Sequence, residues 1–272
     1  MEAYFSDIRA RWQDELLGDP DGPCPREAIA DSQAVRACRG GDGYDALIAL
    51  GDALARQMRY REALAAARKA MALRPDAPEP LRRCAGRRLT LLRLEEAKAD
   101  FLRCMALAGE TPDVTYRLGL CCYLRNDHAA AQGWFVRCFA AAGEELGVAA
   151  IYWEALAAMR LGGQSALLPH YRTDMEVGHH AAYARAAAAM AGVIPMETLL
   201  GALGDEASDM DFSILAYGAA ALLLRAGEPA RSGALRERVL QRDAEWPCFA
   251  WLANRKERWD QEGERCDTAG IL

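Results

Sequence analysis

Residues 44–75 read YDALIALGDALARQMRYREALAAARKAMALRP, and this stretch decides the fold. Apolar and small residues recur at helical spacing: Leu47, Leu50-Gly51 and Leu54, then Ala63, Ala67 and Ala70, with Pro75 closing the run. The same columns return downstream. Ala63, Ala97 and Ala131 stand 34 residues apart; Leu47 maps to Leu81, Leu50 to Cys84 and Leu118, and Gly51 to Ala85 and Gly119. Ala67, Phe101 and Phe135 form another column, and Ala70, Cys104 and Cys138 another, while Pro75, Gly109 and Gly143 close the units. A set of alternating small and bulky columns kept in register defines a repeat. Small residues let two antiparallel helices approach, and bulky ones fill the layer between pairs. Each pair then exposes an apolar face that only the next pair can cover.

These segments resemble tetratricopeptide repeats. The run 44–74 carries the pattern best, and 114–142 repeats it with Leu118-Gly119, Ala131, Phe135 and Cys138. The second unit departs at Arg88, where a large apolar residue is expected, which predicts a first helix slightly rotated or shifted. The resemblance implies an all-α fold: a right-handed α-solenoid of antiparallel helix pairs, clear in the first half and divergent after it. Composition agrees, because Ala, Leu, Arg and Glu dominate while Val, Ile and Thr are scarce.

The chain divides by this reading into capping helices over 1–43 (4–17 and 26–38), three repeats over 44–143, divergent helix pairs over 144–244, and a capping helix with a tail over 245–272. In the divergent part, 151–161 and 165–175 are expected as one helix pair, 181–191 and 196–203 as a second. Residues 211–242 are again repeat-like, and 246–261 reads as the final helix.

The chain has 272 residues, 33 Lys+Arg against 39 Asp+Glu and a formal charge of −6, which argues against nucleic acid as the main partner. Its nine cysteines are too few for a disulfide scaffold, are odd in number, include no Cys-x-x-Cys pair, and sit in Ala-rich runs as small buried hydrophobes. Residues 1–17 lack an apolar signal core and the longest apolar stretch is 219–224, so no membrane role is expected and a cytoplasmic setting is. An exposed apolar end on either cap would permit a homodimer.

The search for chemistry is mostly negative. No phosphate-binding Gly-Lys loop exists, and Gly163-Gln164-Ser165-Ala166 has half a nucleophile elbow, read instead as a turn with a capping Ser165. His170 and Asp174, four apart on a predicted helix, could serve a metal with His179 or His180, against the alternative of a solvated helix end. We expect no enzyme, no cofactor and no metal.

A binding surface is what the resemblance implies. First helices of successive pairs line a concave groove, and one groove column reads Ile48, Arg82, Tyr116 and Tyr152. A second, seven residues on, reads Ala55, Leu89, Tyr123 and Met159, while Asp52 and Arg56 extend the first unit's face. Tyrosines suit interaction surfaces, although packing against neighbouring helices is the alternative. Arg82, Arg83, Arg87, Arg88 and Arg93 could hold an acidic or carboxylate-ended peptide, or could solvate one helix and pair with Glu79, Glu95 and Glu96. The clamp by which some such proteins grip chaperone tails needs two groove asparagines, and this chain holds only Asn126 and Asn254. The expectation is therefore a protein- or peptide-binding scaffold using the groove. The alternatives are a peptide-responsive regulatory sensor, and an enzyme or metal site near His170–His180.

Overall fold

The structure, a computed structural model, describes residues 12–18, 43–204 and 208–263. Every regular element among these residues is helical. The described residues fall into two compact units, divided between Glu110 and Thr111.

In the first unit, α1 (Tyr44–Arg56) pairs with α2 (Tyr60–Leu73) and α3 (Pro78–Thr90) with α4 (Leu94–Ala108). Proline starts α3, where its missing N–H costs nothing. The expected columns are the core: Leu47, Leu81, Ala63, Ala97, Ala67, Phe101, Ala70 and Cys104 are all buried. Arg88 does occupy an apolar column, and α4 neutralises it there through Asp100 and Glu96. Its neighbours Leu81, Cys84, Ala85 and Leu89 stay buried. The helical turn at 12–17 docks onto the start of α2: Glu15 Oε2 accepts from the Arg61 backbone N–H at 2.8 Å. It falls within the expected cap helix 4–17; the cap helix expected at 26–38 lies outside the described residues.

The second unit opens with α5 (Pro112–Leu124) and α6 (His128–Ala141), followed by α7 (Glu144–Arg160). A connector then leads to α8 (Ala181–Met190), the short α9 (Met196–Gly201), α10 (Asp209–Arg225), α11 (Pro229–Gln241) and α12 (Phe249–Glu262). Gly119 in α5 touches Phe135 of α6 so closely that a Cβ there would stand 2.5 Å from the ring. Helix α7 is buried at every position from 147 to 158, and α10 from 212 to 220. The final helix begins at Phe249, after a turn that buries Trp246.

The repeat is written in the backbone as well. Met58, Leu92 and Asn126, spaced 34 apart, are left-handed at φ of 59°, 57° and 61°. Gly162, Gly192 and Gly227 adopt the same conformation at φ of 67°, 73° and 79°. At each of the six sites the following N–H bonds back five residues at 2.9–3.0 Å (Arg59 to Leu54, Arg93 to Arg88, Asp127 to Cys122, Gly163 to Ala158, Val193 to Ala188, Glu228 to Leu223). This is the Schellman ending, which satisfies the last carbonyls of a helix and reverses the chain. Four of these turns (at 58, 92, 126 and 227) span three residues and join paired helices: α1–α2, α3–α4, α5–α6 and α10–α11. The stacked helix pairs, in repeats of this length, are tetratricopeptide-like.

One expected element is absent. Residues 165–175 form only the 3₁₀ turn Leu168–His170. The start of this segment is held by Glu154, a fully buried carboxylate on α7. It accepts from Gln132 Nε2 at 2.8 Å, from the backbone N–H of Ala166 at 3.1 Å and of Leu167 at 3.3 Å, and from the Ser165 hydroxyl. Ser165 caps that turn, accepting from Leu168 N–H at 2.9 Å, in keeping with the sequence reading.

Candidate functional site

The groove columns meet two different fates. In the second unit they are sealed. Tyr116 is 8% exposed, Tyr123 2% and Tyr152 0%. The tyrosines expected to line an open groove therefore do not. The covering elements are the chain's own α8, α10 and α12. Tyr123 Oη lies 2.9 Å from Tyr217 Oη of α10, and Tyr217 in turn donates to Glu257 of α12. Tyr152 donates to the Ile214 carbonyl at 2.8 Å, and its ring meets Tyr183 of α8 at 5.0 Å between centroids. Trp153 packs against Tyr123 at 5.0 Å and Tyr152 at 5.3 Å. Gly218 is what lets α10 lie this close, since a Cβ there would come within 3.1 Å of the Tyr152 ring. Met159, at the end of α7, is half-buried.

Electrostatics match a sealed interior. Burial pushes the phenols of Tyr116, Tyr123, Tyr152 and Tyr217 above their ordinary range, so all are neutral. For Glu257 burial alone would raise the pKa. Arg160 at 2.5 Å and Arg236 override it and hold the carboxyl below its ordinary value.

In the first unit the corresponding face stays partly open and charged. Ile48, Asp52, Ala55 and Arg82 are half-buried and Arg56 is exposed, although Leu89 is buried. Asp52 accepts from Arg83 at 2.8 Å and from Arg87 at 3.0 Å, and Arg83 also reaches Glu79 at 2.8 Å. Tyr44 donates to Glu79 at 3.2 Å, and the Arg74 guanidinium lies 3.9 Å above the Tyr44 ring. Burial would raise the Asp52 pKa, but the Arg83 hydrogen bond and the charges of Arg83 and Arg87 lower it overall. Asp52 is thus a strut that fixes two guanidiniums side by side. The remaining arginines of the sequence cluster turn to α4: Arg88 to Asp100 and Glu96, and Arg93 to Glu96 at 2.7 Å.

An open cleft of about 560 Å³ in the second unit was not read from sequence. Its lining includes Arg185, Thr173 and Thr198 together with the apolar Ala188, Val193 and Ile194. Exposed Val193, just after the Gly192 turn, was its only signal.

The expected pairing of His170 with Asp174 is not formed. Without a helix there, His170 packs on Phe139 at 5.5 Å and Asp174 accepts from Arg172 at 3.1 Å. No disulfide joins two of the described cysteines, five of which are buried, and Cys104 and Cys138 aim their thiols at the Pro78 and Pro112 carbonyls of their own repeats. No helix among the described residues is long and apolar enough to cross a membrane.

No family model matches the sequence, and no curated protein matches it. Among solved structures the chain is similar to YrrB, described as a TPR protein with an unusual peptide-binding site. Identity is 14% over 83% of this chain and 100% of that one, at a TM-score of 0.44. A likeness of this degree transfers no residue and no ligand. The 34-residue recurrence of buried columns and of the left-handed turn establishes, from the chain's own geometry, a fold of tetratricopeptide-like helix pairs.

Proposed function

We propose that the protein is a non-enzymatic binding scaffold that takes an acidic peptide or protein segment on the α1–α3 face of residues 44–90. The observation that carries this reading is the guanidinium row: Arg83 and Arg87 fixed by Asp52, flanked by part-exposed Arg82 and exposed Arg56. Guanidiniums held in place lose little entropy when a carboxylate joins them, and their fork geometry matches it. Ile48 and Ala55 supply apolar contact on the same face. The inner face of the second unit serves as the scaffold's own core.

The test is fluorescence anisotropy of a labelled Asp/Glu-rich decapeptide against its Asn/Gln counterpart. The acidic peptide should bind at least about tenfold more tightly at low salt, with the difference shrinking as salt screens it. Equal affinities would refute the reading.

A further inference from the structure

The starts of α7 and α8 meet in a cluster that the repeat does not require. Glu145 Oε1, in the first turn of α7, lies 2.6 Å from His179 Nδ1 and 3.8 Å from His180 Nδ1. One carboxylate oxygen and one ring nitrogen from each histidine lie within 4.8 Å of one another. Glu145 Oε1 also accepts the His179 backbone N–H at 3.2 Å. The turn closes over the carboxylate because residue 178 is glycine, at φ +50°, and a Cβ there would overlap Glu145 Oε1. The two imidazoles stand 4.4 Å apart between centroids.

A simple ion pair accounts for His179 and leaves His180 unexplained. His180 Nδ1 is buried and makes no hydrogen bond, and 3.8 Å is too long for one. A buried nitrogen left without a partner is costly unless something else occupies its lone pair.

We propose that Glu145, His179 and His180 bind a divalent transition-metal ion of the zinc class. One carboxylate oxygen and two imidazole nitrogens are a donor set for such ions, whereas Mg²⁺ and Ca²⁺ favour oxygen alone. Bonds of about 2.0–2.2 Å in tetrahedral geometry separate donors by about 3.3–3.6 Å. That spacing falls inside the range the three atoms already span, so rotation of side chains suffices to close the site. His179 is 82% exposed, which leaves the fourth position to water. The ion would fasten the start of α7 to the start of α8 and so clamp the connector between them.

The test titrates Zn²⁺ by calorimetry, and Co²⁺ by visible absorption, into the reduced full-length chain. The wild type should take up one Zn²⁺ with a Kd below about 10 μM. His179→Ala and Glu145→Gln should each weaken uptake at least about tenfold, while His170→Ala leaves it unchanged. The exposure of His179 keeps its replacement out of the packing, and circular dichroism checks that the fold is kept. Zn²⁺ should also slow amide exchange over 176–180 in the wild type only. Absence of uptake, equal uptake by the His179 and Glu145 variants, or an intense thiolate–Co²⁺ band placing the ion on cysteines would each overturn the proposal.

Discussion

The phenol oxygens of Tyr123 and Tyr217, 94 positions apart in sequence, lie 2.9 Å from each other inside the second unit. Tyr217 passes the contact on to Glu257, which also takes Arg160 and Arg236. This chain of bonds ties α5, α7, α10, α11 and α12 together. Tyr123→Phe, which removes one hydroxyl, should cost about 1 kcal/mol of stability in denaturant titration. Glu257→Ala leaves two arginines with no carboxylate and should cost about 3–5 kcal/mol. Equal, small effects would show that the network is peripheral.

Two glycines in the same repeat column should respond differently to alanine. At Gly119 the new Cβ would meet the fully buried Phe135 ring at 2.5 Å, so the ring or the helix must shift. Gly119→Ala should destabilise by about 1–3 kcal/mol. At Gly51 the nearest atom is the Ala63 carbonyl oxygen at 3.3 Å. The helix-propensity gain of about 1 kcal/mol offsets much of that contact, so Gly51→Ala should be close to neutral in thermal denaturation.

Glu15 sets a pH dependence. Burial pushes its carboxyl up to about 7 from 4.5, against the lowering pull of the Arg61 N–H and charge. Between these values the native chain holds more protons than the unfolded one, so stability falls as pH rises through that window and levels off above it. Thermal midpoints from pH 4.5 to 8 should show this decline in the wild type and a flatter profile in Glu15→Gln. Parallel profiles would contradict the assignment.

Glu154 should govern the connector after α7. Glu154→Ala removes the acceptor of the Gln132 amide and of the Ala166 N–H, leaving Leu167 N–H only its bond to Ser165 Oγ at 3.2 Å, at a cost of about 1–3 kcal/mol. Limited proteolysis should then cut within 161–180 in the variant well before the wild type. An unchanged digestion pattern would count against that role.

How much of this could be read from sequence depends on whether local pattern or long-range closure decides. The columns at Ala63, Ala97 and Ala131 report contacts within a repeat, so spacing alone exposes them. Although read as an open groove, the face that Tyr116 and Tyr123 share was legible too. What covers that face was not, because α10 and α12 arrive from about a hundred residues away. A signal did exist: 147–158 and 212–220 carry almost no polar residues, and a helix apolar all round is enclosed on all sides. At 165–175 a 3₁₀ turn stands where a helix was expected, and its start is tied to Glu154, a contact that local periodicity does not report. His179 and His180 were legible as candidate ligands but were grouped with His170 and Asp174; Glu145, across that misread segment, was not.

The central claim is that ligand binding belongs to the 44–90 face while the tyrosine face is structural. Titration of the labelled acidic decapeptide into Arg56→Glu/Arg82→Glu and into Tyr123→Phe tests it most directly. The account predicts at least about a tenfold loss of affinity in the double charge reversal, with helical content unchanged, and wild-type affinity in Tyr123→Phe. Wild-type affinity in the charge reversal, or loss confined to Tyr123→Phe, would contradict it.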